Sequence, residues 1–298
     1  VTKRPTSAKQ LVDALPVQVV GNLSPSTWRP LQQDVQEGLL HSQRLRAQLP
    51  GGLQRLRKRA LKADTQRKWL RYWSFGLLGQ TRTKPSRLQI QLNRLENRRL
   101  SPALHIRTFP ADALVDRWSA AQQAFDHLLR SHRIWRIDQE SGAVSKQLDL
   151  SRCKLSIFPP EHLDLQPYPF SFRVGRQGIS LHPLGVFSQR YGEAAQFIPA
   201  DQLQIALWDE PFREFSPPND ATQLFATWEY LNADGQPDAN MPQNRRIYVL
   251  RYARLRLTFG NLKHQRLELL ISRYQAAVRF KETVSAFYQE LGVMPTAD

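Results

Sequence analysis

The sequence predicts an α+β protein. A basic, mainly helical part is expected over 1–145, and a β-rich part over 146–298 closed by a long C-terminal helix. Three observations carry this. Seventeen Lys and Arg fall between Ser42 and Thr108 against only Asp64 and Glu96, so this stretch holds +15 of a chain total of +16. Long stretches between Pro25 and His132 repeat apolar residues at three and four, the helical spacing. From about Val144 prolines gather (Pro159, Pro160, Pro167, Pro169, Pro183) and β-type runs replace long helices.

In chain order, Val1 to Gln10 reads as a polar, basic arm, followed by a short helix over Lys9 to Leu15 and an extended segment over Pro16 to Val20. Ser24 before Pro25 is a good helix cap with proline at the first helical position. The helix it opens runs to Leu49, with Trp28, Leu31, Val35, Leu39 and Leu40 on one face. After Pro50-Gly51-Gly52 a second helix is expected over Leu53 to Leu78, ending in Trp69, Tyr72, Trp73 and Phe75. Gln80 to Ser86 is a polar loop. Leu88, Ile90 and Leu92 alternate as in a strand, although Leu88, Leu92 and Leu95 also fit a helix. Leu104 to Phe109 reads as a strand. Ala111 to His132 reads as a helix facing inward with Leu114, Trp118, Ala121, Phe125 and Leu129.

The C-terminal part offers strands around Trp135 and Ile137, and over Lys154 to Phe158, Phe170 to Val174, Gly178 to Leu181 and Leu203 to Trp208. Pro211 to Asn219 reads as a loop and Ala221 to Leu231 as a short helix. Ile247 to Phe259 is the clearest strand: odd positions are apolar apart from Arg251, and even positions mix Tyr248 and Tyr252 with Arg254 and Arg256. Such a face can stack on bases and meet phosphates, or pair its arginines with neighbouring acids. A long helix is expected over Asn261 to Leu291, whose apolar stripe needs a partner, either the body of the protein or another subunit.

With 298 residues, 41% hydrophobic content and seven Trp, the chain can build one large core or two ordinary ones. Cys153 is the single cysteine, so no disulfide framework or thiol zinc site is expected, and a reducing, cytoplasmic setting is. No apolar run reaches the roughly 18–20 residues of a membrane span. The N-terminal residues carry no apolar signal core.

The chemistry-bearing motifs point away from common enzymes. There is no phosphate-binding GxxxxGK[ST] loop, no GxGxxG and no GxSxG. His127 and His132 stand five apart and do not share a helical face as metal ligands would. No cofactor and no metal site is expected. The best acidic group is Asp209, Glu210 and Glu214, which would serve a metal-dependent nuclease if a lysine joined it; no Glu-x-Lys or Asp-x-Lys occurs.

The basic stretch therefore decides the expected function. Twenty-five bases and twenty-four acids nearly cancel over the rest of the chain. A local excess of this size favours a polyanionic partner, with DNA or RNA first and an anionic membrane surface second. The expected contacts are Arg55, Lys58, Arg59, Lys62, Arg67, Lys68, Arg82, Lys84, Arg87, Arg94, Arg98 and Arg99, with Arg254 and Arg256 on the later strand. The competing readings are a subunit of a nucleoprotein or defence complex that docks a neighbour through the 261–291 helix, a nuclease using the acidic group, and a membrane-surface protein using Leu53 to Gly79.

Two segments resemble bacterial WYL-domain transcription regulators. Leu23-Ser24-Pro25-Ser26-Thr27-Trp28-Arg29 with Asp34-Val35 is similar to the opening of a winged-helix recognition helix. Trp228-Glu229-Tyr230-Leu231, followed by Tyr248-Val249-Leu250 and Arg254-Leu255, is similar to that family's Trp-Tyr-Leu strand and its Arg-bearing successor, with Phe170 to Phe187 as an earlier strand pair. The resemblance implies ligand-tuned DNA regulation.

Overall fold

The computed structural model describes residues 17–47, 104–141, 147–157, 160, 162–190, 193–260 and 266–294. The expected helix over 53–78, the polar loop after it and the strand at 88–92 lie outside the described residues. The chain divides into two units that interleave along the sequence. Unit one takes in Val1–Gly21, Gln33–Arg107 and Glu161–Gln166, and unit two Asn22–Gln32, Thr108–Pro160 and Pro167–Asp298.

Unit one is built around a three-stranded sheet of order β1-β2-β6, with β1 Val17–Leu23, β2 Leu104–Pro110 and β6 Leu163–Gln166. β2 and β6 run parallel, with His105 opposite Asp164 and the two side chains bonded at 2.7 Å. A helix over 28–47, α1, supplies Val35, Leu39 and Leu45 to the core beside Val19, Leu104 and Ile106. Gly38 lets α1 approach the sheet: a Cβ there would sit 3.2 Å from Val19 Cγ2 and 3.3 Å from Leu104 Cδ1.

The opening of α1 follows from its sequence. Trp28 N–H donates to the Ser24 carbonyl at 3.1 Å, the first bond of α-helical spacing. Ser24 N–H donates to Thr27 Oγ1 at 3.0 Å, and the Thr27 hydroxyl donates to the Asn22 carbonyl. Ser24 does not cap the helix through its side chain: its hydroxyl bonds those of Ser26 and Thr27, its carbonyl accepts the first turn's N–H groups, and residues 25–27 form a turn before the helix starts at Trp28.

Among its described residues unit two holds two antiparallel sheets and two helices, besides the start of α1. The first sheet runs β10-β9-β8-β7-β5, with β5 Lys154–Ser156, β7 Phe170–Val174, β8 Gln177–His182, β9 Gly185–Arg190 and β10 Gln196–Pro199. The second runs β11-β13-β14-β3-β4, with β3 Ile134–Ser141, β4 Gln147–Arg152, β11 Leu203–Glu214, β13 Arg246–Phe259 and β14 Arg266–Ile271. β12, Thr222–Trp228, pairs with the first half of β13, and β14 with the second half. The helices are α2, Asp112–Leu129, and α3, Tyr274–Glu290.

An aromatic cluster joins these layers. Trp118 of α2 stacks on Phe170 of β7 at 4.5 Å between ring centroids and meets Phe287 of α3 edge-on at 4.8 Å. Phe125 lies 4.9 Å from Phe170 and 5.5 Å from Phe280. Each such fully buried ring stabilises the fold by roughly 1.5–3 kcal/mol. The spacing of Leu114, Trp118, Ala121 and Phe125 predicts this face of α2; Leu129, expected on it, is exposed, and Leu128 is buried instead. α2 and β3, grouped by composition with the N-terminal part, pack within unit two.

Three expectations fail. Ala221 to Leu231 is not a helix: it forms β12, because Thr222, Phe225, Thr227 and Trp228 suit a strand and β13 offers an edge to pair with. The C-terminal helix does not begin at Asn261. Arg266–Ile271 is a strand of five buried residues after an exposed Arg266, and only Tyr274–Glu290 is helical. A short apolar run buried on both faces has no period that separates strand from helix. β11 runs on to Glu214 through Pro211, expected in a loop, because β11 is the last strand of its sheet and needs no N–H on its outer side.

Candidate anion-binding surface

Strand alternation sorts the charged residues of the second sheet onto two faces. Arg251 and Asp209 stand on the side of α3. Arg251 donates to Asp209 Oδ2 at 2.6 and 2.9 Å, and its guanidinium lies 4.1 Å from the Tyr274 ring centroid. Hydrogen bonds from Tyr274, then from Arg251, hold the Asp209 carboxyl below its usual range.

The other face carries Trp208, Glu210, Tyr252, Arg254, Arg256 and Glu268. Arg254 is 3% exposed and donates to Glu268 at 2.7 and 3.2 Å and to Glu210 at 3.4 Å. Arg256 donates to the second oxygen of Glu268 at 2.6 Å. Both guanidinium groups lie over the Trp208 ring, at 5.2 and 4.7 Å. Burial pulls the Glu268 carboxyl upward, but the bonds from Arg254 and Arg256 together hold it below its usual range. Arg254, expected to meet phosphate, is enclosed, and Arg256 already has a carboxylate partner. Both pair with Glu268, Arg254 buried and Arg256 partly exposed.

The acidic residues do not share one face. Asp209 and Glu210 point to opposite faces. Glu214 shares a face with Glu210 but is four residues away, about 13 Å along a strand. It is buried, ion-paired to Arg133, and accepts from the Tyr252 hydroxyl at 2.8 Å. Burial, then the bond to Glu214, keeps Tyr252 protonated. Among the described residues no group of three His, Cys, Asp or Glu could hold a metal ion. Burial pushes the Cys153 thiol up to about 12, so it is no nucleophile near neutral pH.

The remaining pairs follow the same rule. Arg245 meets Glu229 at 3.1 Å, and Arg273 lies 3.7 Å from Asp220. The twelve expected contacts from Arg55 to Arg99 lie outside the described residues. Of the basic stretch, the described Arg44 on α1 and Arg107 on β2 are exposed. The apolar stripe of α3, considered as a docking face, is covered: Ala276, Ala277, Phe280, Val284 and Phe287 are buried in the body. No described helix is long and apolar enough to cross a membrane.

One group of arginines gathers round a cavity with fewer carboxylates than guanidinium groups and was not expected from the sequence. A cavity of about 380 Å³ opens at one end of the five-stranded sheet, bounded by Arg136, Arg176, Gln177, Ser188, Arg190, Glu193 and Gln196, among others. Arg136 comes from β3, Arg176 from the two-residue turn between β7 and β8, and Arg190 from the end of β9. Antiparallel register sets Gln177 opposite Arg190 and Ser188 opposite Gln196. Gly175, at φ 54°, occupies the left-handed position of the turn, which leaves Arg176 exposed at its tip. The signal in the sequence was Gly175-Arg176 between two strand candidates; Arg136 and Arg190 join it only through pairing.

No family model, no curated protein and no solved structure matches the chain.

Proposed function

We propose that the chain is a nucleic-acid-binding protein that grips the phosphate backbone through the basic stretch Ser42–Thr108. The observation that carries this is the location of uncompensated charge. The stretch holds +15 of the total +16. Elsewhere several arginines on or beside the strands are neutralised at home: Arg133 by Glu214, Arg251 by Asp209, Arg254 and Arg256 by Glu268. A polyanion meeting this molecule gains most from the stretch. Contacts of this kind supply affinity and orientation with little sequence information.

A nuclease reading finds less support, since Asp209, Glu210 and Glu214 are split between faces and each has a cationic partner. The test is fluorescence anisotropy with labelled duplex DNA and single-stranded RNA at about 50 and about 200 mM salt. If about seven of the twelve expected cations met phosphates, duplex affinity would fall by nearly four orders of magnitude across that range. Replacing Arg55, Lys58, Arg59 and Lys62 with Gln should lower the salt slope by about one for each cation that meets a phosphate. Absent binding at low salt, or binding indifferent to salt, refutes the reading.

A further inference from the structure

We infer that the cavity lined by Arg136, Arg176 and Arg190 is a binding site for a small phosphorylated molecule, one bearing a phosphomonoester or a diphosphate. The site is built from residues outside the basic stretch and does not rest on its nucleic-acid reading.

The lining carries three guanidinium groups against Glu193, with Asp138 beside Arg136 as a second carboxylate, which leaves one positive charge in excess. Arg136 is held in place before any ligand arrives. It donates to Gln177 Oε1 at 3.2 Å, and its Nε lies 3.3 Å from Asp138 Oδ1. Contacts at Nε and one terminal nitrogen fix the plane and leave the other terminal nitrogen for a ligand, which lowers the cost of ordering on binding. Arg190 is free to turn: its side chain is 70% exposed and its contact with Glu193 is loose, at 3.9 Å. Arg176 stands on the turn tip with no described carboxylate in ion-pair reach.

These arginines combine one anchored guanidinium with two that can close on a ligand. Gln177, Gln196 and Ser188 add neutral donors around them. The ligand class follows from charge and size. Arginine forks match phosphate oxygens two at a time. A net positive, polar-lined cavity of about 380 Å³ suits a compact dianion with a small organic body better than an apolar ligand. A nucleic-acid duplex cannot enter a space of that volume, so the basic stretch and the cavity would serve different partners.

Isothermal titration of the full chain with inorganic pyrophosphate, ADP and adenosine tests the assignment. Pyrophosphate and ADP should bind at low salt and adenosine should not. Arg176→Ala and Arg190→Ala, both on exposed residues, should each weaken pyrophosphate about fivefold to tenfold, with an unchanged melting temperature. Glu193→Gln should tighten binding, because a competing carboxylate is removed. Nucleic-acid affinity should stay as in the wild type, whatever its value, which separates this site from the basic stretch. If pyrophosphate fails to bind, or binds the Arg176→Ala/Arg190→Ala protein as it binds the wild type, the assignment is wrong.

Discussion

Arg254 shows what a buried charge needs in order to stay on a strand. Its guanidinium meets Glu268 and Glu210, and Glu268 is itself 4% exposed. Truncation to Ala leaves Glu268 enclosed with Arg256 as its remaining close partner. The expected loss is about 3 kcal/mol, near the low end for breaking a buried pair, read by chemical denaturation. Lysine should not restore it, since one ammonium cannot span both carboxylates. The same residues set the acid response. Glu268 and Asp209 both titrate below their ordinary values of 4.5 and 3.8 in the folded chain. Groups shifted this way contribute stability fully above those ordinary values and lose it as pH falls through the lower folded ones. The denaturation midpoint should therefore hold steady from neutral pH to about pH 5 and drop below about pH 4. In Arg254→Ala the drop should be shallower. The sequence shows an Arg-bearing strand face; only the pairing of β13 with β11 and β14 shows that carboxylates stand opposite those arginines.

At the scale of elements, strand pairing decides what local pattern leaves open. The alternation of β13 is readable because fourteen residues keep one parity. β12 and β14 are too short for that: in Leu224, Phe225, Trp228 and Leu231, or Leu267, Leu270 and Ile271, strand and helix spacings coincide. Their conformation is set by the two halves of one long neighbour. Close approach between strands also fixes Gly185. A Cβ there would lie 2.3 Å from the Ile198 carbonyl oxygen and 3.0 Å from Ala200 N, both backbone atoms that cannot step aside. Gly185→Ala should lower stability by about 1–3 kcal/mol and the melting temperature with it, whereas Gly178→Ala, whose Cβ would meet only Gln189 O at 3.8 Å, should lose less. An equal loss at both positions would show that close packing of β9 on β10 is not the cause.

For the whole molecule, charge is distributed in two ways. Across the sheets of unit two, most described arginines face carboxylates. In Ser42–Thr108 they have almost none in the sequence. The salt dependence proposed for nucleic-acid binding belongs to this scale, because it counts phosphates met by many cations together and no single contact. The sequence by itself determined the mixed α and β class, the charge asymmetry, the inward face of α2 and the alternation of β13. Each of these is local, carried by composition or by a period long enough to count. The tertiary structure decided that β12 and β14 are strands, that Asp209 and Glu210 part company, and that Arg136, Arg176 and Arg190 share one cavity. The physical reason is that strand register is a contact between distant segments. It brings together residues from about eight to more than forty positions apart, and no periodicity within either segment encodes which partner will stand opposite.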